Sequence, residues 1–519
     1  MDGSRREFMA SVAAGIMLAA KESWPPSKTP SAANDPLSLD GSQLLAALRS
    51  GEVQAEDYAR SALQRLQKCS HLNIVTWKSE QDVLEAARSI DQRRRRGERL
   101  GHLSGVPILV KDNINTVGFA TTAGTEALQN YRPKTDATVV RRLRAQGALV
   151  LAKTNMHELA CGSTSSNAFF GAVGNPYVDN RISGGSSGGT AAGLAARVSV
   201  FGLGSDSAGS ARIPASFCGV AGFRPSFGPG QRRYPSDGIV PLARELDTCG
   251  PMGRTVADII LLDEALTGRP THGPMQLRGT RLGVSRADHW SKLDPEVARI
   301  GQLALQQLQT VGVELVEVDL RPVNKDAGDV FWTLLLAGMQ TDIKDFLEHE
   351  VPGVTLEKLI AGISSVDVRE VFEKNLREPV KPAELEAAKL QRRRVQRQYE
   401  ELFQRHRLDA VIFPTVPMLA PPIRAYGDRL DDTVVLAGET VPAGMTGIRH
   451  TVTACALGAP GLSIPAGLSA ECLPVGLEID GIPGGDDRIL ALGRQIELLW
   501  GALPPPGVCR VNLEHSIQG

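Results

Sequence analysis

The chain has 519 residues, of which 42% are hydrophobic, enough to bury a large core and, on length alone, to form two or more domains. A formal net charge of -1 gives no electrostatic case for binding nucleic acid or an anionic membrane. The seven cysteines, Cys69, Cys161, Cys218, Cys249, Cys455, Cys472 and Cys509, are odd in number and lack close pairing, so no disulfide framework is expected and most read as small core residues.

The N-terminus carries an address. Ser4-Arg5-Arg6-Glu7-Phe8-Met9 resembles a twin-arginine export signal, which implies a periplasmic destination. Ala10 to Ala20 supplies an apolar core too short to remain as a membrane-spanning helix. Trp24 to Pro36 is rich in Pro and Ser and reads as an exposed linker. The expected organisation is a signal and linker at 1–33, a single domain at 36–504 and a tail at 505–519.

From Ser42 to Gln67 and from Gln81 to Arg96 the apolar spacing is helical, as in Leu44, Leu45, Leu48 and then Tyr58, Ala62, Leu66. The run Arg93 to Arg96 is the solvated end of that second helix. Next come a strand at Ile108 to Val110, a helix at Ala137 to Gln146 and a strand at Ala148 to Ala152, an alternation that argues for a parallel or mixed α/β sheet. Arg281 to Ser285, Pro295 to Val311 and Glu314 to Asp319 repeat it. Between Asp326 and Gln404 the chain turns helical, an excursion covering one side of a cleft. Its Phe331, Trp332, Leu335 and Met339 read as core rather than substrate wall.

The stretch from Ser183 to Pro214 holds two small-residue clusters, Gly184 to Gly189 and Asp206 to Arg212, separated by an Ala-rich helical turn or two and a buried strand at Val198 to Gly204. Glycines at such turns let other groups approach and leave peptide N–H groups unpaired. Hydroxyls beside unpaired N–H groups point to acyl chemistry. A solvated Gly/Ser linker would not abut Ala-rich and apolar segments. A phosphate loop needs a Lys after the glycines, and Gly202-x-Gly204 lacks the third glycine of a dinucleotide fingerprint. Gly184 to Gly188 also fits the G-x-S-x-G nucleophile elbow, although Asn175 to Arg181 reads as a turn where that motif needs a strand.

Taken together, these clusters resemble the amidase signature family of serine hydrolases. Val106 to Asn113, Lys153 to Ala160, Asp409 to Thr415 and Leu473 to Leu477 are similar to other blocks of the family, in the expected order over roughly residues 36 to 504. The resemblance implies one large α/β domain, a mixed sheet of many strands surrounded by helices. It implies Ser210 as nucleophile, Ser186 as bridging serine with a cis peptide, and Lys111 as terminal base. Ser207, Ala208, Gly209 and Ser210 would offer backbone N–H groups to an oxyanion. Alanine at 208, where the family usually has glycine, would be strained if that position demands positive φ. Cys161, Gly162 and Ser163 match a segment lining the acyl pocket, and Ser187, Asp206 and Arg212 would brace the two turns.

The lysine has a physical requirement of its own. It accepts a proton only when neutral, so its pKa must fall from about 10.4 towards 7 or 8, roughly 4 kcal/mol of differential stabilisation. Desolvation acts in that direction, and Lys111 follows the apolar run Val106 to Val110. No metal or cofactor is expected: His157-Glu158 lacks the second histidine of a zincin helix, and the nine histidines are scattered. No Ser-x-x-Lys occurs, which removes the penicillin-recognising enzymes. Nothing near Cys161 is electropositive enough to make it a nucleophile.

The resemblance implies hydrolysis of a carboxamide C–N bond, and Ile448 to Thr451 and Val475 to Gly481 look most like the branch acting on arylacetamides. An anilide or carbamate hydrolase and the amidase subunit of an amidotransferase are the alternatives. The expected partners are a small-molecule amide and, for assembly, at most a second copy of the chain.

Overall fold

Short apolar runs alternating with amphipathic segments assemble, in the computed structural model, into one 11-stranded mixed sheet with 15 α-helices among the described residues. The structure describes residues 35–507 except 229–231, 271, 272, 274 and 424–432, so the twin-arginine segment and most of the expected tail lie outside it. The strands in chain order are β1 (Val75–Trp77), β2 (Pro107–Lys111), β3 (Leu149–Thr154), β4 (Phe201–Asp206), β5 (Ala221–Arg224), β6 (Thr248–Gly253), β7 (Arg281–Val284), β8 (Glu314–Glu317), β9 (Ala410–Pro414), β10 (Gly461–Leu468) and β11 (Pro474–Asp480). Across the sheet their order is β1, β3, β2, β4, β6, β5, β10, β11, β9, β7, β8.

Strand β2 pairs in parallel with both β3 and β4, and β7 in parallel with β8 and β9. The pairs between β4 and β11 across the middle are antiparallel. Every residue of β2, β3 and β4 is buried, which explains why they read as unbroken apolar runs: helices cover both faces.

The expected helix from Ser42 to Gln67 is two helices, Gly41–Ser50 and Ala55–Lys68. Gly51 separates them in the left-handed conformation, φ 83°, and its N–H closes the first helix on Ala47. The helical excursion comprises Arg321–Glu350, Leu356–Ala361, Val366–Arg377 and Pro382–His406, all between β8 and β9. Its Phe331, Leu334 and Met339 pack with Val411 and Phe413 of β9 in a core of their own, apart from the main core around β2 to β4.

Cys218, Cys249 and Cys455 are buried free thiols, as expected, but Cys472 is disulfide-bonded, a pairing that the cysteine spacing does not signal. Among the described residues no helix is long and apolar enough to cross a membrane.

Leu203, at the middle of β4 and fully buried, carries the packing between the strands that hold the site. Leu203→Ala is expected to lower unfolding stability by about 2–5 kcal/mol, read from chemical denaturation midpoints.

Candidate active site

Parallel pairing sets Val110 of β2 opposite Leu203 of β4, so the strands end side by side, one in Lys111 and the other in Ser205 and Asp206. Lys111 has no solvent exposure. Its Nζ lies 2.7 Å from Ser186 Oγ and 2.8 Å from Ser205 Oγ, and Asn113 Nδ2 donates to the same Ser205 oxygen at 3.0 Å. Burial pushes the Lys111 ammonium down from its ordinary 10.5 to about 7, against the opposing pull of the Asp206 and Asp247 carboxylates. Near neutral pH such an amine can take a proton from a hydroxyl.

Ser186 follows a cis peptide after Gly185 and leads into the helix Gly188–Ala195. Ser210 sits in the turn between β4 and the helix Arg212–Cys218. The two turns are stitched together, because the Ser187 N–H donates to the Ser210 carbonyl at 3.2 Å. Ser187 Oγ also donates to the carbonyl of Ser205. The Ser210 side chain opens into a cavity of about 620 Å³. Its hydroxyl makes no hydrogen bond among the described residues; contacts of this kind tighten when substrate binds.

The turn carrying Ser210 is organised by Asp206. Burial opposes ionisation of this carboxyl, but the Arg212 and Arg224 guanidinium groups outweigh it and hold the group well below the usual carboxylate range. The carboxylate accepts from Gly209 N at 2.9 Å, Ala211 N at 3.2 Å and Arg212 Nε at 3.0 Å. Arg212 continues to Glu478 and to the carbonyl of Thr451. Gly209 is at φ 110°, and a Cβ there would stand 2.3 Å from Thr451 Oγ1, so both conformation and space require glycine. Ala208 is not at positive φ and carries no such strain. Thr451 Oγ1 donates to its carbonyl at 2.6 Å.

One expectation changes. The Gly209 N–H is engaged by Asp206, so the N–H groups of Ser207, Ala208 and Ser210 are those of the turn without a partner among the described residues. These three can meet an oxyanion. The Ser207 hydroxyl is held by Asp247 Oδ1 at 2.5 Å.

Cys161, Gly162 and Ser163 line the cavity. Burial, with Asp367 and Glu158 nearby, pushes the Cys161 thiol up to about 12, which removes it as a nucleophile. Phe331, Trp332 and Leu335 line the cavity too, so they are wall as well as core, whereas Met339 stays within the core. The elbow alternative fails: no strand leads directly into Gly184, and the residues before it make isolated bridges, Ile182 with Gly174 and Arg181 with Pro422. The sequence reading missed Ser205, Asn113, Asp247 and Thr451. Ser205 was within reach, since a buried strand ending beside Lys111 must place its last residues against the amine.

Because the Lys111 amine must be neutral to accept a proton, kcat/KM is expected to rise with pH through an apparent pKa near 7 and level off above it. A pH–rate profile checks this, and Lys111→Ala should lower the plateau by about a hundredfold to ten-thousandfold.

A family model described as Amidase matches residues 57–490. The chain is 36% identical over 458 residues to an indoleacetamide hydrolase of Agrobacterium vitis, covering 88% of this chain and 96% of the relative. It is 37% identical over 492 residues to a mandelamide hydrolase of Pseudomonas putida, covering 91% and 93%. A solved amidase crystal structure matches with a TM-score of 0.79 at 30% identity, covering 89% of this chain and 100% of the other. Matched over residues 57–490, a span that takes in the whole sheet together with Lys111, Ser186 and Ser210, the chain belongs to the amidase signature family of amide hydrolases.

Proposed function

We propose that the protein hydrolyses the C–N bond of a small aryl- or arylacetamide-type primary amide through an acyl-enzyme on Ser210. The observation that carries the mechanism is the 2.7 Å contact between buried Lys111 Nζ and Ser186 Oγ, beside the cavity into which Ser210 opens. Ser210 Oγ attacks the acyl carbon while its proton passes to Ser186 and the Ser186 proton passes to neutral Lys111. The oxyanion is met by the N–H groups of Ser207, Ala208 and Ser210. The proton returns through Ser186 to the departing nitrogen, ammonia leaves, and water cleaves the ester by the same relay.

The substrate class is supported by the aromatic and aliphatic wall of Phe331, Trp332 and Leu335 and by the relatives named for indoleacetamide and mandelamide. The same acyl chemistry would serve an anilide or carbamate, so the panel that tests substrate includes both. A fluorophosphonate should form a single adduct mapped to Ser210 by mass spectrometry, and ammonia should be released from an arylacetamide in preference to the anilide and carbamate. Ser210→Ala is expected to lose the adduct and at least about a thousandfold in rate; hydrolysis by that variant at the parent rate would sink the mechanism.

The segment 1–33 sends the folded enzyme to the periplasm in this reading. Support comes from Arg5-Arg6 with the short apolar run that follows. Replacing Arg5 and Arg6 with Lys should move amidase activity from the periplasmic to the cytoplasmic fraction. An unchanged distribution overturns the export reading.

A further inference from the structure

The helical excursion contributes a mostly apolar wall to the cavity, with Phe331, Trp332, Leu335 and Val371 on it. Asp367 interrupts that wall. It is the second residue of the helix Val366–Arg377, only 9% exposed, and lines the same cavity as Ser210.

Its Oδ2 lies 3.0 Å from His157 Nε2, and His157 Nδ1 lies 3.2 Å from Thr164 Oγ1. A carboxylate only accepts, so Nε2 carries the proton of that contact. The backbone N–H of His157 donates to the carbonyl of Ser186 at 3.2 Å, which places the pair one hydrogen bond from the bridging serine. A carboxylate offers about four acceptor sites. His157 uses one, and Asp367 Oδ1 has no hydrogen-bond partner among the described residues. Buried acceptors are rarely left so, because an unpaired one is costly.

The neighbouring carboxylate makes the contrast clear. Glu158 accepts from the N–H groups of Ser364 and Ser365, the nearest contact at 2.7 Å, and so already holds the turn that leads into this helix. Asp367 retains acceptor capacity beyond any such fastening role.

We propose that Asp367, oriented by His157, is the polar recognition point of the acyl pocket, selecting amides whose acyl portion carries an O–H or N–H donor on an otherwise aromatic frame. This deepens the amide-hydrolase reading and rests on it for the rate measurements. A site built to bond a donor rejects the analogue lacking it, because the acceptor is then buried without a partner.

Two matched pairs test the idea: mandelamide against phenylacetamide, and indole-3-acetamide against naphthalene-1-acetamide. The parent enzyme is expected to favour the donor-bearing member of at least one pair by about tenfold or more in kcat/KM, and Asp367→Ala to bring that ratio within about threefold of unity. Asp367→Asn supplies a signature that a merely structural role would not give. His157 retains the amide oxygen as its acceptor, the amide nitrogen takes the place of the unpartnered Oδ1 as a donor, and preference shifts from mandelamide towards its keto analogue, phenylglyoxylamide, relative to the parent. The same compounds titrated calorimetrically into Ser210→Ala report on recognition without turnover, so a failed reaction is told apart from a failed pocket. No discrimination by the parent in either pair, in rate or in binding, or discrimination that survives both Asp367 variants, overturns the proposal.

Discussion

Lys111 ends a central strand with no contact to solvent, and keeping a full charge there without water is so unfavourable that the amine is drawn towards neutrality instead. That condition dictates the surroundings. The strand must be covered on both faces, which the all-buried runs of β2, β3 and β4 accomplish. The hydrogen-bonding capacity of the amine must be met by groups without charge, and two serine hydroxyls meet it. A carboxylate in direct contact would restore the ammonium form and remove the base.

Charge is nevertheless dense one layer away. Asp206, Arg212, Arg224, Glu478 and Asp480 are all buried, and burial pushes the last two carboxyls up. Removing one partner from such a cluster leaves the others uncompensated, which is why clusters of this kind act as rigid junctions rather than adjustable ones. Here the junction joins the turn after β4 to β11 and to the Thr451 carbonyl, segments far apart in the chain. Asp206 takes the Gly209 N–H and Thr451 takes the Ala208 carbonyl, so the peptide between residues 208 and 209 is held at both ends.

The gathering of Lys111, Ser186 and Ser210 was legible because its signals are local: glycine-rich turns at fixed places beside buried strands, and a lysine closing an apolar run. Strand and helix identities followed from periodicity, with the break at Gly51 a matter of one residue's left-handed conformation. What stayed illegible lies between segments. Ser207 to Asp247, Ala208 to Thr451 and His157 to Asp367 bring together residues 40, 243 and 210 positions apart, and no periodicity encodes such meetings. Trp332 and Leu335 looked like core for the same reason. On a helix, the face towards a core and the face towards a cavity have the same composition.

The placement of the helical excursion follows from the strand order. It leaves the sheet after β8 and returns at β9, and both strands run parallel to β7 between them, so the chain departs from the C-terminal end of one strand and re-enters at the N-terminal end of another two positions away. Lys111, Ser186, Ser205 and Ser210 all belong to chain that precedes it. The excursion is thus one contiguous crossover, and none of the strands that hold the amine belongs to it. A fold arranged in this way can acquire new acyl preferences by exchanging one contiguous stretch of chain while its bond-breaking apparatus is inherited intact.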